Sequence, residues 1–146
     1  GLIVKKRVVK PNEKTLRNMF QVRILLEGYS ARCAAIFLKE DEIAALQNCV
    51  KIGHSGTYEE IMQANEQFHG IIVQSSNNPV MIDIIDRMQS MIYLFRKTVV
   101  IYNRPHLIDE HEKILKAIQA RDEKLAEKLM KDHLQADLDF YLHLIH

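Results

Sequence analysis

Glycine and proline are scarce, five and three in 146 residues. So few breakers leave long stretches in which nothing interrupts a helix. With 47% hydrophobic and 27% charged residues, the composition excludes a disordered chain and indicates a compact, helix-rich one. Cysteine is nearly absent. Cys33 and Cys49 have no motif spacing, so buried thiols in a reducing cytoplasm are expected rather than a disulfide. No apolar run approaches the roughly 18 residues that cross a bilayer, and no basic-then-apolar segment opens the chain. A cytoplasmic location with no membrane partner is expected. An excess of one charge is missing too: 20 Lys and Arg face 19 Asp and Glu, for a net charge of +1. That balance excludes the bulk of the chain as a nucleic-acid surface, which needs a concentrated basic field. There is no internal repeat, Gly-rich phosphate loop, nucleophile elbow or paired-cysteine metal motif.

What is present is helical periodicity within one domain's length. Residues 1–11 stand apart, with Leu2-Ile3-Val4 and Val8-Val9 flanking Lys5-Lys6-Arg7 like remnants of strands, or like a linker. Gly1 in place of Met suggests a processed or excised piece. Asn12 is a candidate cap for a first helix to about Phe37, in which Gly28 marks a close approach by another helix or a ligand. A second helix is predicted over Glu40 to Lys51. Thr57 and Glu60 form a capping box that opens a third helix to about Ser75. Asn78-Pro79 starts a fourth to about Tyr102, whose apolar residues spread over more than one face, as in a central helix or one shared with a partner chain. A fifth follows Pro105, and Asp122 caps the last, which continues towards Leu142. The expected fold is all-α, an antiparallel bundle of about six helices over residues 12–146.

Three of these helices carry polar residues where a core belongs. Asn65 and His69 are four apart and share a face with Ile61, Met62, Ile72 and Val73. His111 lies within Leu107, Ile108, Ile114, Leu115 and Ile118, and His133 continues the face of Ala126, Leu129 and Met130. A lone histidine in such a setting is more often a hydrogen-bonded core residue. Three would need three separate hydrogen-bond solutions, whereas one divalent cation satisfies them together, so a shared metal site is preferred. His54, His106, His143 and His146 read as surface residues. Arg23 and Glu27, at i and i+4, border or enter the apolar side of the first helix. They read equally as an exposed ion pair or as residues lining a site.

The chain also resembles a known family. Val22-Arg23-Ile24-Leu25-Leu26-Glu27, Asn65 to His69 followed by Ser76-Asn77-Asn78-Pro79, Glu110-His111 with Ile114-Leu115 and Ala117-Ile118, and Ala126 through Met130 to His133-Leu134 are similar in order and spacing to the FCD domain. That domain is the effector-binding and dimerisation module of the FadR branch of the GntR superfamily of bacterial transcription regulators. The resemblance implies that Asn65, His69, His111 and His133 are metal ligands, with Asn65 standing where the family has Asp or Asn. It implies a homodimer, a small organic acid as effector, and DNA contact only through an amino-terminal winged-helix domain that this sequence lacks, of which residues 1–11 would be the remnant.

Charge supports an acidic effector independently. Three neutral imidazoles and an amide leave a divalent cation uncompensated in a low-dielectric bundle, and a carboxylate supplies the missing charge. Arg23 and Glu27 are the candidate effector-binding residues, Arg23 offering a planar fork. Zinc is set slightly ahead of nickel, iron or manganese. A sensor without turnover is preferred to a metal-dependent hydrolase or lyase, because no inward acid other than Glu27 is expected beside the histidines to act as a base. A purely structural helical dimer is the third reading.

Overall fold

Seven helices account for nearly all of residues 12–146, the part of the chain that the computed structural model describes. They are α1 (Glu13–Phe37), α2 (Glu40–Ser55), α3 (Tyr58–Gln74), α4 (Pro79–Arg87), α5 (Gln89–Ile101), α6 (Leu107–Gln119) and α7 (Glu123–Ile145). The expectations for residues 1–11 lie outside the described residues. The predicted starts form through the predicted chemistry. Asn12 Oδ1 accepts from Thr15 N–H at 2.7 Å, and Asp122 Oδ1 accepts from Leu125 N–H at 3.1 Å. Thr57 and Glu60 exchange hydrogen bonds of 3.3 and 2.8 Å. Asn78 Oδ1 takes the N–H groups of Val80 and Met81 ahead of Pro79.

Two elements differ from expectation: α2 runs on to Ser55, past the predicted end at Lys51, and the fourth helix is divided. The predicted fourth helix is two, because Met88 adopts φ −93° and ψ 1° and its N–H bonds Ile85 O in a tight turn. Neither proline nor glycine marks this joint. After it, Ile92, Phe95, Arg96 and Val99 are buried at i, i+3, i+4 and i+7, whereas α4 buries only Ile85 fully. The spread of apolar residues thus resolves into two helices with different buried faces.

The most extensive helix pairing joins α1 to α7, and α3 and α6 complete the walls around the polar centre. Gly28 permits the first contact, since a Cβ there would lie 2.7 Å from Lys131 Cε. The close approach expected at this glycine is therefore made by α7. Arg32 reaches across to Glu123 and Glu127 at 2.8 and 2.9 Å, and Arg121, at φ 59°, donates to Leu38 O at 2.7 Å beyond the end of α1. Phe20 meets Phe95 edge-on at 4.7 Å, which seats α5 against α1. Cys33 and Cys49 are buried free thiols.

Candidate metal and ligand site

Asn65, His69, His111 and His133 are all buried, on α3, α6 and α7. One nitrogen from each ring lies within 4.8 Å of the other two. Local packing sets their directions. Phe68 stacks on His111 with ring centroids 4.3 Å apart and 8° between planes. His69 Nδ1 lies 2.8 Å from Glu27 Oε1, and His133 Nδ1 lies 2.7 Å from Glu110 Oε1. An ionised carboxylate only accepts, so each Nδ1 carries the proton and each Nε2 is left with a lone pair. Carboxylates commonly orient metal-binding imidazoles in this way.

The donor set fits a divalent cation on two observations. His111 Nε2 and His133 Nε2 are 3.2 Å apart, within the roughly 3.0–3.6 Å that separates two atoms bound about 2.1 Å from one ion. Asn65 Oδ1 is buried and has no hydrogen-bond partner among the described residues, an acceptor that a cation would satisfy. Protonation agrees. Burial, with the charge of Arg96, lowers the His69 pKa to about 3, and burial with the neighbouring rings holds His111 well below its ordinary value. Both are neutral ligands at neutral pH. Burial alone would raise Glu27, but Arg23 and His69 outweigh it and keep the carboxylate ionised.

Arg23 and Glu27 are fully buried, so the ion pair expected at this spacing lies inside the bundle rather than on its surface. Arg23 Nε donates to Glu27 Oε2 at 2.7 Å, so Glu27 joins the arginine to His69. Both terminal nitrogens of Arg23 are buried with no partner among the described residues. Burial first, then the charge of Arg23, lowers the Arg96 pKa to about 10, which leaves it protonated; its Nε is also unpartnered. Glu27, His69 and Arg96 line a cavity of about 340 Å³ that continues past Glu66, Gly70 and Gln89.

The expectation that no acid besides Glu27 points inward is corrected. Glu110 holds His133, and buried Asp137, one turn further along α7, brings Oδ2 to 3.7 Å from His133 Nε2. Arg104 ties the two acids together, pairing with Glu110 and approaching Asp137 Oδ1 at 2.8 Å through Nε. Arg96, Arg104, Glu110 and Asp137 are therefore additions to the predicted set. Arg96 carried the signal that exposed the histidines, a polar residue within an apolar stripe, and Asp137 carried the i, i+4 spacing from His133. His54, His106, His143 and His146 are exposed, as expected.

Comparison with known proteins agrees with the fold. Over 135 residues the chain is 28% identical to the Glc operon transcriptional activator of Escherichia coli K12, covering 84% of this chain and 53% of that protein. It is 22% identical over 141 residues to the uncharacterised HTH-type transcriptional regulator YdhC of Bacillus subtilis, covering 90% of this chain and 62% of that one. The chain thus spans between about half and two thirds of these relatives. Among solved structures, E. coli McbR/YncC superposes with a TM-score of 0.78 at 18% identity, covering 92% of this chain and 71% of that one. Streptococcus agalactiae GntR does so with a TM-score of 0.71 at 20% identity, covering 90% and 62%. No described helix is long and apolar enough to cross a membrane. The model of the FCD domain matches residues 18–136, and with that span, these helices and these relatives the chain belongs to the FCD domain family.

Proposed function

We propose that residues 12–146 form the effector-sensing and dimerisation unit of a bacterial transcription regulator, binding a small carboxylate at a divalent metal. Asn65, His69, His111 and His133 hold the ion, zinc being set slightly ahead of nickel, iron or manganese. A divalent cation there supplies a Lewis-acidic anchor for an acidic ligand. The observation that carries this reading is the pair of histidines whose Nδ1 atoms are engaged by buried carboxylates, leaving both Nε2 lone pairs beside His111.

Arg23 and Arg96 deepen the case for an acid. Glu27 is ion-paired with Arg23, Arg96 has only the more distant Glu27, Asp137 and Glu66, and both guanidiniums keep unpartnered N–H groups. Uncompensated buried charge is unfavourable, and an incoming carboxylate relieves it. Two of the three acids at the site are held by hydrogen bonds, Glu27 to Arg23 and His69 and Glu110 to Arg104 and His133, and the third, Asp137, is ion-paired with Arg104. A carboxylate held beside a guanidinium is a weak general base, which favours sensing over turnover.

DNA contact belongs in this reading to a winged-helix domain preceding residue 12, joined through residues 1–11. The greater length of the relatives, one of them an HTH-type regulator, supports it. A homodimer is supported by the apolar side chains that α4 and α5 leave exposed, among them Val80, Leu94 and Ile101. A cytoplasmic location follows from the same reading. Elemental analysis of untagged protein tests the core of it, with about one metal per chain expected and His111→Ala expected to lose it. A thermal-shift screen of dicarboxylates, hydroxy acids and sugar acids, run on metal-loaded, metal-stripped and Arg23→Ala protein, tests the ligand. Equal stabilisation of all three forms overturns the ligand reading.

A further inference from the structure

We propose that Asp137 is a further metal ligand, supplying from α7 the carboxylate that Asn65 does not supply from α3. The inference rests on the metal reading above and concerns which residues complete that site. Asp137 is 4% exposed, and its Oδ2 is 3.7 Å from His133 Nε2. That separation is too long for a hydrogen bond but close to the spacing of two atoms sharing one cation, about 3.4–3.6 Å at bond angles between tetrahedral and trigonal. Residues four apart on a helix present their side chains one above the other. Asn65 and His69 do so on α3 and His133 and Asp137 on α7, so two such pairs meet at His111.

Arg104 gives Asp137 its direction. The guanidinium approaches Oδ1 with Nε at 2.8 Å, while its Nη atoms are engaged by Glu110, Pro105 O and His133 O. Oδ1 is thereby ion-paired, without an aligned hydrogen bond, and Oδ2 lies on the side of His133. Electrostatics points the same way. Three neutral rings and an amide bring no charge to a divalent ion, whereas Asp137 offsets half of it and leaves one positive charge for a ligand carboxylate. Five protein donors, three nitrogens and two oxygens, also suit an ion that accepts more than four ligands, with the Asp137 carboxylate turning towards the rings, since it stands outside the three nitrogens that lie within 4.8 Å of one another.

Zinc affinity, measured by competition with a chromophoric chelator on the 146-residue chain, tests the assignment. Asp137→Asn is expected to weaken Zn(II) binding by about tenfold or more. Adding Asn65→Asp to the same chain moves the carboxylate to α3 and is expected to restore affinity to within about threefold of the parent. Circular dichroism of each variant reports the fold separately. The inference is overturned if Asp137→Asn binds zinc as the parent does, or if its loss is not restored by Asn65→Asp. A parent chain that takes up no metal overturns the proposed function and this inference together, whereas a parent that binds zinc beside an unaffected Asp137→Asn overturns only this one.

Discussion

Arg104 and Arg96 are each 6% exposed beside the same histidines, and they are provided for very differently. Arg104 meets two carboxylates and two backbone carbonyls. Arg96 makes no ion pair among the described residues, feels Glu27, Asp137 and Glu66 only from a distance, and its Nε finds no acceptor there. Although Arg104 Nε and Asp137 Oδ1, 2.8 Å apart, make no aligned hydrogen bond, the α6–α7 wall is thus compensated in charge by the protein alone. The α1–α5 wall is not. Buried charge left without a partner marks the side of the site on which a ligand is expected, because there binding would satisfy guanidinium groups that folding did not.

The sharpest way to break this comparison is to remove the acid that the unfinished wall already has. Glu27→Ala strands Arg23 and Arg96 and frees His69 Nδ1, and a loss of about 3–5 kcal/mol in urea unfolding is expected. A loss below about 1 kcal/mol would mean that the two arginines are not held by Glu27. Arg96→Met should act oppositely, leaving the unliganded chain as stable as the parent or more so. It should also abolish the stabilisation that an acid gives the parent, about 2.7 kcal/mol at a hundredfold excess over Kd. Calorimetry with and without the acid reads both effects.

Acid sharpens the comparison through the histidines. His69 falls from about 6.5 to about 3 on folding, so below pH 6.5 the unfolded chain takes up a proton that the folded chain refuses. Stability is therefore full above pH 6.5 and is lost as pH falls towards 3, by about 1.4 kcal/mol per pH unit from His69 alone. His111 adds in the same direction. In chelator-treated protein, His69→Gln should flatten the slope of unfolding free energy between pH 6 and pH 4. An unchanged slope would show that His69 is not buried neutral. The smallest effect is expected at His54, which is exposed and only 3.2 Å from exposed Glu112. His54→Ala should leave metal content unchanged and stability within about 0.5 kcal/mol.

These outcomes also mark what the sequence could reveal. Caps are local, so Asn12, Thr57 with Glu60, Asn78 with Pro79, and Asp122 announced their helices within three residues. The inward histidines were legible because a face follows from spacing alone. Distance between faces does not. That Glu27 would reach His69 and Glu110 would reach His133 depends on how α1 meets α3 and α6 meets α7, which no periodicity encodes. Asp137 lies between Ala136 and Leu138 and two residues before Asp139, where an acid reads as solvated until the facing helix is known. The joint at Met88 was hidden for another reason, since neither proline nor glycine marks it.

The pairing of α1 with α7 governs the order in which the site can come into being. A chain is synthesised from its amino end, and the helix that covers most of α1 is the last one described. Until α7 emerges, the apolar face of α1 waits without its main partner, and a passing metal ion meets two of the three imidazoles. Under the proposed function, completion of the ion's cage and closure of the core become one event when α7 emerges, so a shortage of metal would be felt as a delay in maturation before it was felt as a loss of sensing.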